Sequence, residues 1–295
     1  MDTTQNQQTI AGPAAVEGFG YWSGRDVRVE FRPAPPNTGI IFVRSDLEGH
    51  PRIPARIENL TDTPLRTTLQ VGEAGVGMVE HIMAALGGLE IDNCEIWINE
   101  PEMPGCDGSS LPFVEAIDAV GIVQQDAPQY KLVVGDIIDD VLRLGNERRW
   151  IEVRPSAGKD TLLKYHLQYS STQPIGRQTL EISLTPDAFR KELAPCRTFV
   201  LRQEAERLLA NGLGQRASFK DLLVFGDEGP IDNTLRFPDE CVRHKLLDIV
   251  GDLALVGGRL VGSLTAFRSG HHLNARLVGA LMGKRRVARN WKRCA

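Results

Sequence analysis

At 295 residues, with 42% hydrophobic and 24% charged residues, the chain has the composition of an ordinary globular protein and the length for about two domains. Its formal charge of -4 excludes a general nucleic-acid binder, which carries a basic surplus, so an acidic substrate would need a local basic pocket. The polar start, Met1 to Gln8, lacks the charged and apolar regions of a signal peptide, and no apolar run reaches membrane-span length.

Five cysteines (Cys94, Cys106, Cys196, Cys241, Cys294) contain no Cys-x-x-Cys pair, so a disulfide framework and a thiolate metal cage are both disfavoured. A cytoplasmic protein without stable membrane insertion is expected, and any metal must be held by histidine and carboxylate.

Alternating apolar residues place a strand at Val27–Phe31. A helix follows from Met78 to Leu86, then a strand at Cys94–Ile98. A second helix should open near Pro112, with Ser109 and Ser110 as caps, proline in the first turn and an apolar stripe of Phe113, Ile117 and Val120. Gln124–Pro128 reads as a linker. Beyond it, strands are expected near 150–153, 162–169 and 178–184, followed by helices, a strand near 260–267 and a final helix.

The segments Val79–Leu86 and Val242–Ile249 share a Val-x-His start and apolar spacing, and each precedes a glycine-containing turn and a strand, which points to internal duplication. At the far end Lys284, Arg285, Arg286, Arg289, Lys292 and Arg293 form a basic tail. It reads first as a solvated helix C-terminus and second as an adsorption site for anionic membrane.

Chemistry concentrates on the duplicated helices. His244 and Asp248, four residues apart, project from one helix face with Cβ atoms roughly 5–6 Å apart. Such pairs usually serve as surface ion pairs, so the metal reading needs a third donor. If the two halves pack their histidine-bearing helices together, His81 supplies it, and a three-ligand site leaves a coordination position for water. Glu80 would then stand beside the metal as general base, although a glutamate at a helix start can be merely dipole-stabilising. His271 begins the last helix and could act as general acid, held protonated by Asp252, with helix capping as the alternative. His50 and His166 have no partner pattern and read as structural.

These residues carry a family resemblance. Val79–Leu86, Pro101–Pro104 with Asp107-Gly108-Ser109, Arg197-Thr198-Phe199, Val242–Asp252 and Ser269–Asn274 occur in the order in which they occur in UDP-3-O-acyl-N-acetylglucosamine deacetylases, the zinc amidases of lipid A biosynthesis. The likeness runs from Thr9 to Leu281.

It implies an α+β fold of two similar α/β-type domains, 1–125 and 126–295, each a strand-helix unit, with helices sandwiched between two outer sheets and the active site at the domain junction. It further implies a Zn2+ ion on His81, His244 and Asp248, Glu80 as base, His271 as cationic acid oriented by Asp252, and Thr198 at the oxyanion. Lys245 and Phe199 match positions that line the substrate site.

For the rest of an acylated UDP-N-acetylglucosamine, Lys245 and Arg268 are candidate phosphate partners and Tyr169 a candidate stacking partner for uracil. Leu201, Leu208, Leu209 and Leu213 fall where the family has an apolar passage; by helical spacing alone they would be core. No nucleic-acid partner is expected, and a monomer is.

The chain departs from the family pattern on the substrate side. Trp22 stands for a usual histidine, Arg66 for a cysteine, Gln203 for an aspartate, Gln215-Arg216-Ala217 where a glycine pair is typical, and Arg268 for a lysine. Two rival readings therefore stand beside the leading one: the same amidase chemistry on another N-acetylated sugar nucleotide, and a non-catalytic UDP-sugar-binding protein.

Overall fold

A computed structural model describes residues 5–294, with side chains to residue 285. The first half carries β1 (Asn6–Ile10), β2 (Ala14–Phe19), β3 (Asp26–Pro33), β4 (Ile40–Arg44), β5 (Arg52–Pro54), β6 (Leu60–Thr61), β7 (Thr68–Val71) and β8 (Ala74–Gly77). Helix α1 (Glu80–Gly88), β9 (Cys94–Ile98), α2 (Leu111–Val120) and β10 (Ile122–Pro128) complete it.

The second half begins with β11 (Lys131–Val133), β12 (Leu142–Asn146), β13 (Arg149–Arg154), β14 (Thr161–Gln168) and β15 (Arg177–Leu184). A helical turn, α3 (Pro186–Ala188), leads to β16 (Phe199–Leu201), α4 (Arg202–Ala210), β17 (Leu223–Phe225), α5 (Glu240–Leu253), β18 (Arg259–Phe267) and α6 (His271–Cys294). The fold is thus α+β.

The internal echo extends to topology. One sheet has the order β2-β3-β9-β4-β5 and the other β12-β13-β18-β14-β15, with β11 beside β18. In each, the third and fourth strands of that order pair in parallel and the other pairs within the order are antiparallel, while β11 adds a parallel pairing to β18 in the second sheet. The helices lie on the inner side: α2 packs on β2 and α1, α1 on α5, and α5 on β14, β15 and α6.

Helix α1 is apolar beyond Glu80 and His81, whereas α5 sets buried polar groups, Glu240, His244, Asp248 and Asp252, among its apolar residues. Residues of α1 from Glu80 to Leu86 are buried, as are those of α5 from Leu246 to Leu253. Their approach is close enough to require Gly251, where a Cβ would lie 2.0 Å from the Glu80 carbonyl oxygen.

Four expectations change. Helix α1 begins at Glu80 rather than Met78, because Met78 adopts φ +61°, outside helical space. Gln124–Pro128 is not a linker: it belongs to β10, which pairs antiparallel with β1, while Gln125 bonds Asn93 and the Ala34 carbonyl.

Ser109 Oγ accepts the Leu111 N–H as expected, but Ser110 does not cap α2, since its hydroxyl donates to the His81 carbonyl at 2.7 Å. The core reading that helical spacing alone would give the insert's leucines does not hold: Leu209 is 44% exposed, and Leu201, Leu208 and Leu213 are only partly buried.

Of the histidines read as structural, His50 lies against Trp97 and His166 is bonded to Thr179. Of the basic tail, the side chains beyond Arg285 lie outside the described residues. Among the described residues, no helix is long and apolar enough to cross a membrane.

Candidate active site

The α1–α5 contact brings His81, His244 and Asp248 together, and one donor atom from each lies within 4.8 Å of the others. Asp248 Oδ1 is 3.3 Å from His244 Nε2 and 3.7 Å from His81 Nε2. Donors bonded to one ion at about 2.1 Å in tetrahedral array stand about 3.4 Å apart, so the spacing suits a divalent transition metal.

The protonation pattern also fits. His244 Nδ1 lies 3.0 Å from the Cys196 carbonyl, which can only accept, so Nδ1 carries the hydrogen and Nε2 offers its lone pair. Burial pushes the His244 pKa down to about 3, which keeps the ring neutral.

Asp248 stays ionised. Burial would raise its pKa, but His244, Lys245 and His271 hold it well below the carboxylate range. Its second oxygen accepts from Lys245 Nζ at 2.6 Å, so the lysine expected at a phosphate is engaged with the Asp248 carboxylate.

On the other flank, Glu80 is buried, and burial pushes its pKa up against the pull of His271 and His81. Its Oε2 accepts the Thr67 N–H at 2.9 Å, and its Oε1 stands 4.0 Å from His271 Nε2. His271 Nδ1 is bonded to Asp252 Oδ2 at 2.9 Å. Burial opposes the charged ring, but Asp252, then Asp248 and Glu80, raise its pKa to about 10. A buried carboxylate and an imidazole held cationic therefore face each other beside the donor triad.

Residues absent from the sequence reading tie this flank together. Thr67 Oγ1 donates to Asp252 Oδ1 at 2.6 Å while its backbone N–H holds Glu80, so one residue positions both. Asn274 donates to Asp252 Oδ2 at 2.8 Å and is itself fixed by Ser269. Asn274 was legible as the last residue of Ser269–Asn274; Thr67, 185 positions from Asp252, carried no signal of its own.

The substrate-side candidates form a less unified group. Phe199 stands edge-on to His244, with ring centroids 6.2 Å apart, and Tyr169 makes a T-shaped contact with Phe199. Thr198 is anchored through its backbone to Gly108 and Leu223, two residues beyond the carbonyl that orients His244.

Arg268 is exposed, in left-handed backbone (φ +50°) at the turn before α6. Two departures meet: the Arg66 guanidinium lies 4.8 Å from the Trp22 ring centroid, and Arg66 Nε is buried without a hydrogen-bond partner among the described residues.

The family model for UDP-3-O-acyl N-acetylglycosamine deacetylase matches residues 7–283. A UDP-3-O-acyl-N-acetylglucosamine deacetylase of Thermosynechococcus vestitus is 40% identical over 279 residues, covering 95% of each chain. That of Brucella ovis is 39% identical over 94% of this chain and 95% of its own, and that of Brucella melitensis biotype 2 gives the same values. With its length, its order of motifs and its matched residues all in agreement, the chain belongs to the UDP-3-O-acyl-N-acetylglucosamine deacetylase family.

Proposed function

We propose that this protein hydrolyses the acetamide of UDP-3-O-acyl-N-acetylglucosamine, releasing acetate and the free amine, as a zinc-dependent, cytoplasmic, monomeric enzyme of lipid A biosynthesis. The observation that carries this reading is the donor triad His81, His244 and Asp248 beside the facing pair Glu80 and His271. Neutral imidazole and carboxylate donors suit zinc. When bound, zinc polarises a carbonyl and makes a water more acidic.

The chain's own groups do the rest. Glu80, its pKa raised by burial, takes the proton of the attacking water. His271, kept cationic by Asp252, opposes the negative charge that grows on the carbonyl oxygen and then protonates the leaving nitrogen. Thr198 is assigned to the same oxygen. Thr67 holds Glu80 and Asp252 in register, so the distance between base and acid does not depend on flexible side chains.

Lys245, Phe199, Arg268 and Tyr169 are assigned to the substrate; of these, Lys245 and Phe199 lie closest to the triad. Leu201, Leu208, Leu209 and Leu213 are assigned to the acyl chain. The two matching sheets support a division into units 1–125 and 126–295, which falls inside β10. The four described cysteines are free, which suits a reducing compartment.

A second reading, the same chemistry on a different N-acetylated sugar nucleotide, draws on the Arg66–Trp22 contact, since both partners depart from the family pattern. Amine release from UDP-3-O-acyl-N-acetylglucosamine and from unacylated UDP-N-acetylglucosamine, with metal-loaded, chelated and Glu80→Ala protein, separates the two. Metal-dependent turnover of the acylated substrate that falls on the order of 10²–10⁴-fold in Glu80→Ala supports the first reading. Equal or faster turnover of the unacylated nucleotide supports the second, and turnover of neither removes both.

A further inference from the structure

The C-terminal ends of α1 and α5 meet away from Glu80 and His81, and there they line a cavity of about 360 Å³. Met83, Leu86 and Ala254 give it an apolar face, while Arg56, Tyr130 and Asp92 supply polar ones. Nothing in the amidase chemistry uses these groups.

Two successive glycines at the turn between α5 and β18 make room for the polar side chains. Gly257 has φ +72°, and a Cβ there would lie 2.4 Å from Arg56 Nη1. Gly258 lies outside the left-handed region, so its own backbone does not require glycine; a Cβ would meet the Tyr130 ring at 2.1 Å and its carbonyl oxygen at 2.6 Å. The chain thus gives up side chains at two neighbouring positions where Arg56 and Tyr130 line a void.

The charges around the void are unequal in their freedom. Arg259 is neutralised by Glu90 at 2.6 Å and Asp160 at 2.8 Å, and Arg285 lies over the Tyr130 ring at 4.3 Å. Arg56 has no carboxylate within ion-pair distance among the described residues, although it lines the cavity. Asp92 is the opposing charge; it accepts from the Gln8 N–H and Gln129 Nε2, and burial pushes its pKa up to about 6. A half-buried guanidinium with no carboxylate in ion-pair reach favours an anion that can take two of its N–H groups at once.

We propose that this cavity is a second ligand site, for a small molecule that joins one carboxylate or phosphate monoester to an apolar or planar body, with Arg56 holding the anion. Its volume lies at the lower end of small-ligand sites, roughly 300–1,000 Å³, which suits an occupant smaller than an acylated UDP-sugar.

The test is isothermal titration calorimetry of the metal-loaded full chain with phenyl phosphate, alongside inorganic phosphate and phenol. Saturable binding of phenyl phosphate, tighter than either fragment, is expected. Arg56→Gln should weaken it roughly tenfold or more, the loss of one charge-assisted contact, while Arg56→Lys, which keeps the charge but not the paired donors, should fall between the two, and an unchanged denaturation midpoint shows that both variants fold. Lys245→Ala should leave the binding unchanged. Absence of saturable binding, equal affinity in Arg56→Gln, or loss in Lys245→Ala instead would overturn the proposal.

Discussion

Gly251→Ala probes the contact on which the site depends. Its Cβ would be built 2.0 Å from the Glu80 carbonyl oxygen, 2.9 Å from the Glu80 carbonyl carbon and 3.2 Å from the Ala84 nitrogen. Backbone cannot swing aside as a side chain can, so α1 and α5 must part by about 1 Å to relieve the nearest contact.

Overpacking of this kind costs about 1–3 kcal/mol, and a rigid obstacle belongs at the upper end. Replacing a helical glycine by alanine recovers about 1 kcal/mol of helix propensity, which leaves a net loss of about 2 kcal/mol. The larger effect is on function, because the displaced residue carries Glu80 and neighbours His81; a shift of about 1 Å in a reacting group can cost on the order of 10²-fold.

Urea denaturation of metal-loaded protein should show the lower midpoint, and steady-state deacetylation should show the loss mainly in kcat. A variant as stable as the parent, with unchanged kcat, would refute the claim that close helix approach sets the site geometry.

Three further outcomes are expected. Because His271 is raised to about 10 from an ordinary 6.5, its ion pair contributes stability that is fully present below about pH 6.5 and is lost as pH rises through about 10. Deacetylation that requires the cation should fall over the same alkaline range, and Asp252→Asn, which removes the largest raising influence, should move that limb of the pH–rate profile to lower pH; an unmoved limb would show that His271 is not the group titrating.

His244→Ala and Asp248→Ala should each lose the bound metal as measured by atomic emission, with losses of stability expected to differ from those of activity; full metal content in either variant would remove that residue from the ligand set. Leu209→Ser should raise KM for the acylated substrate and leave the denaturation midpoint within about 0.5 kcal/mol, because the residue is 44% exposed on a helix that buries nothing; a clear drop in stability would return it to the core.

Much of the site was legible because its members sit at fixed helical spacing. His244, Asp248 and Asp252 are four apart, so any helix through them puts all three on one face, and the Glu80-His81 pair announces itself through the echo of the two helices. Thr67 was not legible, since a threonine in a loop has many ordinary uses and its link to Asp252 spans 185 positions. Lys245 was legible as a cation but not in its engagement, because its ammonium can turn toward Asp248 or away and only packing chooses.

By spacing alone the insert's leucines look like core, whereas α4 buries none of its residues and Leu209 is exposed. Gln124–Pro128 looked like a linker because glutamine, aspartate and proline are poor strand formers, but an edge strand needs only one partner, and β1 provides it.

The two central helices, the donor types, the order of motifs and hence the family can be read from the chain alone, because these depend on residue identity and short-range spacing. Packing sets the rest: that His81 joins His244 and Asp248, that Glu80 faces His271 at 4.0 Å, and that one threonine holds both Glu80 and Asp252. Those relations depend on how closely two helices more than 150 residues apart in the chain can approach, and that distance is set where a missing side chain at Gly251 meets the backbone of Glu80.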